Sequence, residues 1–246
     1  EYSRLDGHQT IEEMLQECRR KGYHSIAVTE HGTLAGWMAF YREAKRAEVK
    51  PILGLEAYIA KTRTAREYEH IVFIARDLEG YQGLIKLQSK ASLDQAGHHP
   101  IIGWDELVQL KGVYALTACT GGVFGKKFLR GDEDGAIANL KKLIGTFGKD
   151  RVFLEVQPHV GWEPQLLLNQ GAVQWAGRLG IGLVATNDNH YVEPNGWEVQ
   201  DIMMCIRDHT YLETPDRMKY DIHDLYIKDA DSVKRGFDGA DLSKDV

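Results

Sequence analysis

Two short stretches carry residue types able to hold a cation or a phosphate. Thr29-Glu30-His31-Gly32 follows the apolar run Ser25-Ile26-Ala27-Val28, and Asp188-Asn189-His190 follows the run from Ile181 to Ala185. In each, a carboxylate and an imidazole stand where a strand ends and a turn begins. The pattern recurs along the chain. Asp6 precedes Gly7 in the first turn, and Glu56 lies within the apolar run 52–59. His70 stands just before Ile71-Val72-Phe73-Ile74-Ala75, and Cys119 follows Val113 to Thr117. Oxygen, nitrogen and sulfur donors in one set suit Zn²⁺, Mn²⁺ or Fe²⁺. Clustered ions of that kind clamp the attacking and leaving oxygens of a phosphoryl transfer and acidify a water.

Each residue also has an ordinary reading. Asp6 can stabilise its own turn, and Glu30 and His31 can be surface charge at a helix start. Glu56 can pair with a lysine or arginine, because a lone carboxylate in an apolar strand is costly. His70 can be a half-buried strand entry, and Cys119 a small core residue. Only the Asp188-x-His190 spacing, which puts two ligand types on one face of an extended turn, favours a site by itself. Taken together, the ordinary readings need a separate explanation for every turn. His98 and His99, adjacent in the loop 97–100, read as solvated. His159, after Gln157-Pro158, is a candidate phosphate contact or a solvated turn residue.

The elements that must position these residues follow from periodicity. Thr10-Ile11-Glu12-Glu13 is a capping box. It opens a helix that buries Ile11, Met14, Leu15 and Cys18 on one face and stops at Gly22. Strands are expected over 24–28, 52–59, 71–75, 113–117, 152–156 and 182–186. Helices are expected over 34–48, 78–92, 104–110, 136–147, 164–179 and 197–207. Leu225 to Lys228 is a further strand candidate. Strand and helix alternate about six times, which calls for a parallel sheet with helices outside, open or closed into a barrel. In a parallel barrel the C-terminal strand ends converge on one mouth, so distant residues share a site there. His70 fits this geometry least well, because it comes before its apolar run instead of after it.

The chain has 246 residues, a net charge of −6, three cysteines and ten histidines. The length suits one large domain or two small ones. Three widely spaced cysteines argue against a disulfide framework and for a reducing, cytoplasmic setting. The acidic balance argues against a free-standing duplex-DNA binder, while leaving room for a site that handles one strand end with the help of metals. No run approaches the ~20 apolar residues of a membrane span. The first residue is Glu1, with no Met and no signal peptide, so the chain is expected to begin inside a longer protein.

Glu1-Tyr2-Ser3-Arg4-Leu5-Asp6-Gly7, Thr29 to Leu34, Phe40-Tyr41 and Lys50 to Tyr58 resemble the PHP (polymerase and histidinol phosphatase) domain of bacterial DNA polymerase III alpha subunits. So do His70 to Ala75, Gly80-Tyr81, Cys119 with Gly121-Gly122, Phe153 to Gln157, and Val184 to Tyr191. The resemblance spans nearly the whole chain in order. It implies an α/β fold, a distorted TIM-like (β/α)7 barrel, with the PHP domain over 1–208. Residues 209–246 would be the end of that domain and a linker towards a polymerase domain outside this sequence.

It also implies two or three divalent ions (Zn²⁺, Mn²⁺, Mg²⁺ or Fe²⁺) held by nine ligands. Asp6, His31, Glu56, His70, Cys119, Asp188 and His190 match seven of them, and Glu56, Asp188 and His190 are the candidate catalytic residues. The other two are a His-x-His pair that the family places just ahead of Glu1 and that this sequence does not contain. Glu30 stands where the family has Asp, and Glu48 where it has Gly.

The activity implied is hydrolysis of the 3′-terminal phosphodiester of a DNA primer by metal-bound hydroxide, as 3′–5′ proofreading in DNA replication. Implied partners are the polymerase domain of the same longer chain, a proofreading subunit and a sliding clamp, with no membrane. Two alternatives are a metal-stabilised structural module of the polymerase, and a stand-alone phosphomonoesterase acting on a substrate such as histidinol phosphate.

Overall fold

The computed structural model describes residues 6–95 and 97–238. The strands are β1 (Ser25–Val28), β2 (Lys50–Ala60), β3 (Glu69–Ala75), β4 (Ile101–Gly103), β5 (Val113–Leu116), β6 (Val152–Val156) and β7 (Gly182–Ala185). The helices are α1 (Ile11–Arg20), α2 (Trp37–Arg46), α3 (Leu78–Leu93), α4 (Gly125–Phe128), α5 (Glu133–Phe147), α6 (Glu163–Leu179), α7 (Trp197–Asp208) and α8 (Ala230–Asp238). The strands form one curled sheet in the order β1-β2-β3-β5-β6-β7, with β4 paired to the far end of β2. The result is a distorted α/β barrel with helices on its outer face.

One strand departs from the all-parallel expectation. β3 runs antiparallel to both neighbours, with Glu56 opposite Val72 and Val72 opposite Leu116. The reason lies in the connection. Residues 61–68 form no helix or strand, and a parallel neighbour needs a crossover of about a dozen residues or more, usually helical. A short loop can only return the chain in the opposite direction. The start of β3 therefore lies at the same rim as the ends of β1, β2, β5, β6 and β7.

Side chains alternate across the sheet. On β2, Leu55, Ala57 and Ile59 are fully buried; so are Ile71 and Phe73 on β3, Val113 and Ala115 on β5, and Val152, Leu154 and Val156 on β6. These face the helices and pack in the main core with Leu84, Leu140 and Leu143. The intervening positions face the concave side. There Ile26, Ile52, Val72, Ile74, Tyr114, Leu116, Phe153 and Val184 line a cavity of about 700 Å³ that continues to His31, Glu56, Cys119 and His190. Period-two alternation thus puts Glu56 on the inner face, between two outward apolar residues.

Local chemistry explains the ends of several elements. The Glu13 amide donates to the Thr10 hydroxyl and the Thr10 amide to the Glu13 carboxylate, completing the capping box. Gly180 ends α6 in a left-handed conformation (φ 64°), which glycine adopts at little cost. Other expectations change. The helix expected from Leu34 begins at Trp37. Residues 104–109 are a 3-10 turn, and Leu225 to Lys228 makes only the bridge between Tyr226 and Tyr191. β4 and α4 are too short to be read from sequence, and α8 is absent from the expected elements although its pattern is amphipathic. Residues beyond α7 pack back on the barrel: Ile222 and Leu225 bury against Tyr191. Among the described residues no helix is long and apolar enough to cross a membrane.

Candidate metal centre

Six of the seven residues singled out from the sequence fall into two groups at the shared rim. Asp6, His31 and His190 form one, and Glu56, His70 and Cys119 the other; within each, the donor atoms all lie within 4.8 Å of one another. In the first, Asp6 Oδ2 is 3.1 Å from His31 Nε2 and 3.5 Å from His190 Nε2. In the second, Glu56 Oε1 is 2.8 Å from His70 Nδ1. The groups touch each other, because Glu56 Oε2 is 3.4 Å from His31 Nδ1. Asp188 belongs to neither triad but sits beside the first, 3.8 Å from His190.

The backbone around each residue explains its position. His31 follows β1, where its bridge to Glu56 extends the β1–β2 pairing. Asp6 is held by docking of the first turn on the 188–190 turn. The His8 amide donates to the His190 carbonyl (3.0 Å), and Gln9 Nε2 to the Asn189 carbonyl (3.0 Å). His70 opens the antiparallel strand β3, so an imidazole that precedes its apolar run still reaches the mouth. Its amide donates to the Gly121 carbonyl and its carbonyl accepts from Val123, which ties it to the turn carrying Cys119.

Two of the ligand-bearing turns hold non-glycine residues in the left-handed region, Ala118 (φ 60°) and Asp188 (φ 49°). Such conformations persist where the surroundings over-determine them. Glu155 supplies much of that constraint. Its carboxylate accepts hydrogen bonds from the Ala118 amide and, at 2.8 Å, from the Thr186 hydroxyl. Gly122 supplies more, since a Cβ there would lie 1.9 Å from the Thr117 carbonyl oxygen. Gly122→Ala is therefore expected to cost about 3 kcal/mol or more by overpacking against rigid backbone, read as a lower midpoint in thermal or urea unfolding.

The electrostatics are those of an acidic cluster compensated by imidazoles. Burial opposes ionisation of Asp6, but His190 and His31 outweigh it and hold the carboxyl far below the usual range. Glu56 is likewise held down at about 2, with His31 and His70 overcoming its burial. The same contacts act in reverse on the rings. Burial disfavours the charged imidazole of His31, yet Glu56 and Asp6 push it up to about 10. His190 rises to about 9 through Asp188 and Asp6, against its burial. Burial, with Asp188 and Glu56 nearby, pushes the Cys119 thiol well above its ordinary value.

This donor set fits divalent cations. Glu56 Oε1, His70 Nδ1 and His190 Nε2 are buried atoms without an aligned hydrogen-bond partner. Buried polar atoms are nearly always satisfied, and here they converge on one another. Protons on the imidazoles do for the carboxylates what bound cations would do, so metal binding would displace them.

Three residues were misread or missed in the sequence. His159 is almost fully enclosed: its side chain is 1% exposed, its Nδ1 is 2.8 Å from Asp224 Oδ1, and it does not line the cavity. It clamps the segment after α7 to the end of β6. Glu155 was signalled by the same feature as Glu56, an acidic residue at an inward position of an apolar strand. Tyr220, whose ring lies 5.5 Å from that of His190, carried no such signal, because it is far away in sequence.

The family model of the PHP domain matches residues 1–159. The chain belongs to the PHP domain family. Over 95% of its length it is 33% identical to the DNA polymerase III subunit alpha of Borreliella burgdorferi, covering 21% of that protein. It is 32% identical to that of Thermus aquaticus over 95% of the chain and 20% of the relative. For that of Deinococcus radiodurans the figures are 34%, 96% and 19%. The chain thus spans about a fifth of the length of the curated relatives it matches. Among solved structures, a two-domain protein from Bacteroides vulgatus, described as containing a predicted PHP-like metal-dependent phosphoesterase, aligns with a TM-score of 0.44 at 13% identity, over 96% of this chain and 59% of that one.

Proposed function

We propose that this chain is the metal-dependent phosphoesterase domain of a bacterial DNA polymerase III alpha subunit, acting on the 3′-terminal phosphodiester of a DNA primer as a proofreading exonuclease. The observation that carries this reading is the pair of donor groups joined through Glu56 and His31. Asp6, His31 and His190 would hold one ion, and Glu56, His70 and Cys119 a second.

Divalent ions bound there would supply an acidified water and neutralise charge on the phosphoryl oxygens. The chain's own residues do the rest. Asp6, His31 and His190 orient one set of donors, and Glu56, His70 and Cys119 the other. The Asp188 carboxylate, 26% exposed, lines the cavity 3.8 Å from His190. The sliding clamp, a proofreading subunit and the polymerase domain are the partners this reading entails.

Among the described residues β1 and β7 are the two ends of the sheet order and do not pair with each other. The apolar inner face behind them is only partly covered. The first described residues, Asp6 to His8, lie beside His190, with the His8 amide donating to the His190 carbonyl.

The decisive experiment is cleavage of a mismatched primer with Mn²⁺ or Zn²⁺, using protein that carries the upstream His-x-His. Release of 3′-terminal nucleotides that stops with chelator is expected. Absence of both metal and cleavage would sink the proposal. Metal retention with a chelator-sensitive melting point and no cleavage would assign the domain a structural role instead.

A further inference from the structure

The turn that carries Asp188 and His190 is clasped by residues 220–228, which lie between α7 and α8. The His190 amide donates to the Leu225 carbonyl at 2.8 Å, and the Leu225 amide to the Tyr191 hydroxyl at 3.0 Å. Asn187, immediately before Asp188, donates through Nδ2 to the Tyr226 carbonyl at 2.7 Å. Its Oδ1 accepts from Lys228 Nζ at 2.6 Å. At the start of the segment the Tyr220 hydroxyl donates to Asp6 Oδ1 at 3.5 Å, and the Tyr220 ring lies 5.5 Å from that of His190. The other Asp6 oxygen, Oδ2, faces His31 and His190.

Lys228 is the centre of this clasp. Its side chain is 5% exposed, and a lysine is almost never so enclosed unless its charge is paired. Here the three ammonium protons have three acceptors: Asn187 Oδ1, Asp224 Oδ2 at 3.1 Å and the Asp224 carbonyl. The second Asp224 oxygen pairs with His159 Nδ1 at the end of β6. One buried cation thus ties the segment to β6 and to the residue before Asp188. Asp188 itself is left-handed, with φ 49°, a conformation that persists only where its neighbours enforce it. The Tyr23 hydroxyl, donating to the Lys228 carbonyl at 2.9 Å, fixes the segment from the α1 side.

The contacts are one-sided. Among the described residues no hydrogen bond, ion pair or ring contact joins 220–228 to Glu56, His70 or Cys119. We propose that Lys228 and Tyr220 are positioning residues for the ion of the first donor group, Lys228 fixing the turn of Asp188 and His190 and Tyr220 fixing Asp6. The proposal rests on the metal-binding part of the reading above and not on its exonuclease part. The docked segment presents the donors in the arrangement the ion binds, so docking and binding at this group are one linked equilibrium. The ion of the second group is independent of it. The segment expected as the end of the domain and a linker is thereby part of the first site.

The test is made in the protein of the cleavage assay, titrated with Co²⁺. Cys119 belongs to the second group alone, so a thiolate-to-cobalt charge-transfer band in the near ultraviolet reports an ion there, while calorimetry counts every ion bound. Lys228→Met removes the ammonium and keeps an unbranched side chain. Tyr220→Phe removes one hydroxyl. Lys228→Met is expected to weaken about tenfold or more the Co²⁺ that is taken up without the band, and to leave unchanged the concentration at which the band appears. Tyr220→Phe is expected to weaken the same ion about twofold or more.

A loss shared equally by both ions, as a lowered melting point alone would produce, overturns the proposal. So does Co²⁺ uptake indifferent to both variants, or uptake with no thiolate band. Should Lys228→Met not fold, Tyr220→Phe decides alone. Wild-type protein that binds no Co²⁺ overturns the positioning role together with the metal-dependent reading. Selective loss in a protein that cleaves no primer supports the positioning role and removes the exonuclease reading. Primer cleavage with ion binding indifferent to Lys228 and Tyr220 does the reverse.

Discussion

Replacement of Glu56 by alanine is expected to remove bound metal and to reduce phosphodiester hydrolysis by more than about a hundredfold. Loss of a group one shell further out typically costs 10- to 100-fold in metal affinity or activity, and among the described residues Glu56 is the carboxylate that touches both donor groups. Its two oxygens approach His70 at 2.8 Å and His31 at 3.4 Å. Without it, His31 loses the strongest of the charges that favour its protonated form, and the two groups lose their shared member. Glu56→Gln keeps the volume and one carbonyl oxygen, so it should retain more metal than Glu56→Ala but far less activity than wild type. Emission spectrometry of dialysed protein and turnover of a chromogenic diester check both. A Glu56→Ala protein that keeps its full metal content would show that the groups do not act as one centre.

The second large effect is on stability against pH in the metal-free protein. Glu155 is buried beside Glu56 and Asp188, and burial first of all pushes its carboxyl up from 4.5 to about 8. Between those values the folded state holds a proton that the unfolded state has released. The stability from this group is therefore complete below pH 4.5 and lost as pH rises to 8. His31 and His190, raised to about 10 and about 9, contribute stability that is complete below their unfolded value of 6.5 and lost as pH climbs through 9 and 10. Glu56, held at about 2, and Asp6, held lower still, contribute above their unfolded values and lose that contribution as pH falls.

Metal-free protein is thus expected to be most stable near pH 5. Each group that releases a proton on unfolding across a full unit adds about 1.4 kcal/mol of slope. Urea unfolding in chelator from pH 5 to 9 reads this decline. Glu155→Gln should flatten the part between 4.5 and 8, and an unchanged slope in that variant would remove Glu155 as its source. Added divalent metal should reverse the trend on the alkaline side, because deprotonated ligands bind it better.

How much of this was legible beforehand depends on whether the cause is local. The capping box at Thr10 and Glu13 lies within four residues, so it was readable, as were the buried face of α1 and the glycine that ends α6. Candidate ligands other than Glu56 were readable because each sits where an apolar run meets a turn, and the PHP resemblance joined them into one set. Glu56 stood out as a carboxylate among apolar residues. Glu155 carries the same signature and was passed over, since its partners, the Ala118 amide and the Thr186 hydroxyl, come from turns 37 and 31 residues away.

Strand direction was not legible. Period-two alternation is identical in parallel and antiparallel strands, so His70 looked misplaced until β3 was seen to run backwards. His159 read as a phosphate contact or a solvated turn residue until the segment after α7 folded over it and supplied Asp224. His99 looked solvated until Tyr58 and Tyr68 closed around it. By itself the sequence determined the donor types, the alternation of elements and the family. Only the tertiary structure decided how the donors divide into two groups around Glu56 and His31, because that division comes from pairings between segments far apart in the chain, and no local pattern encodes them.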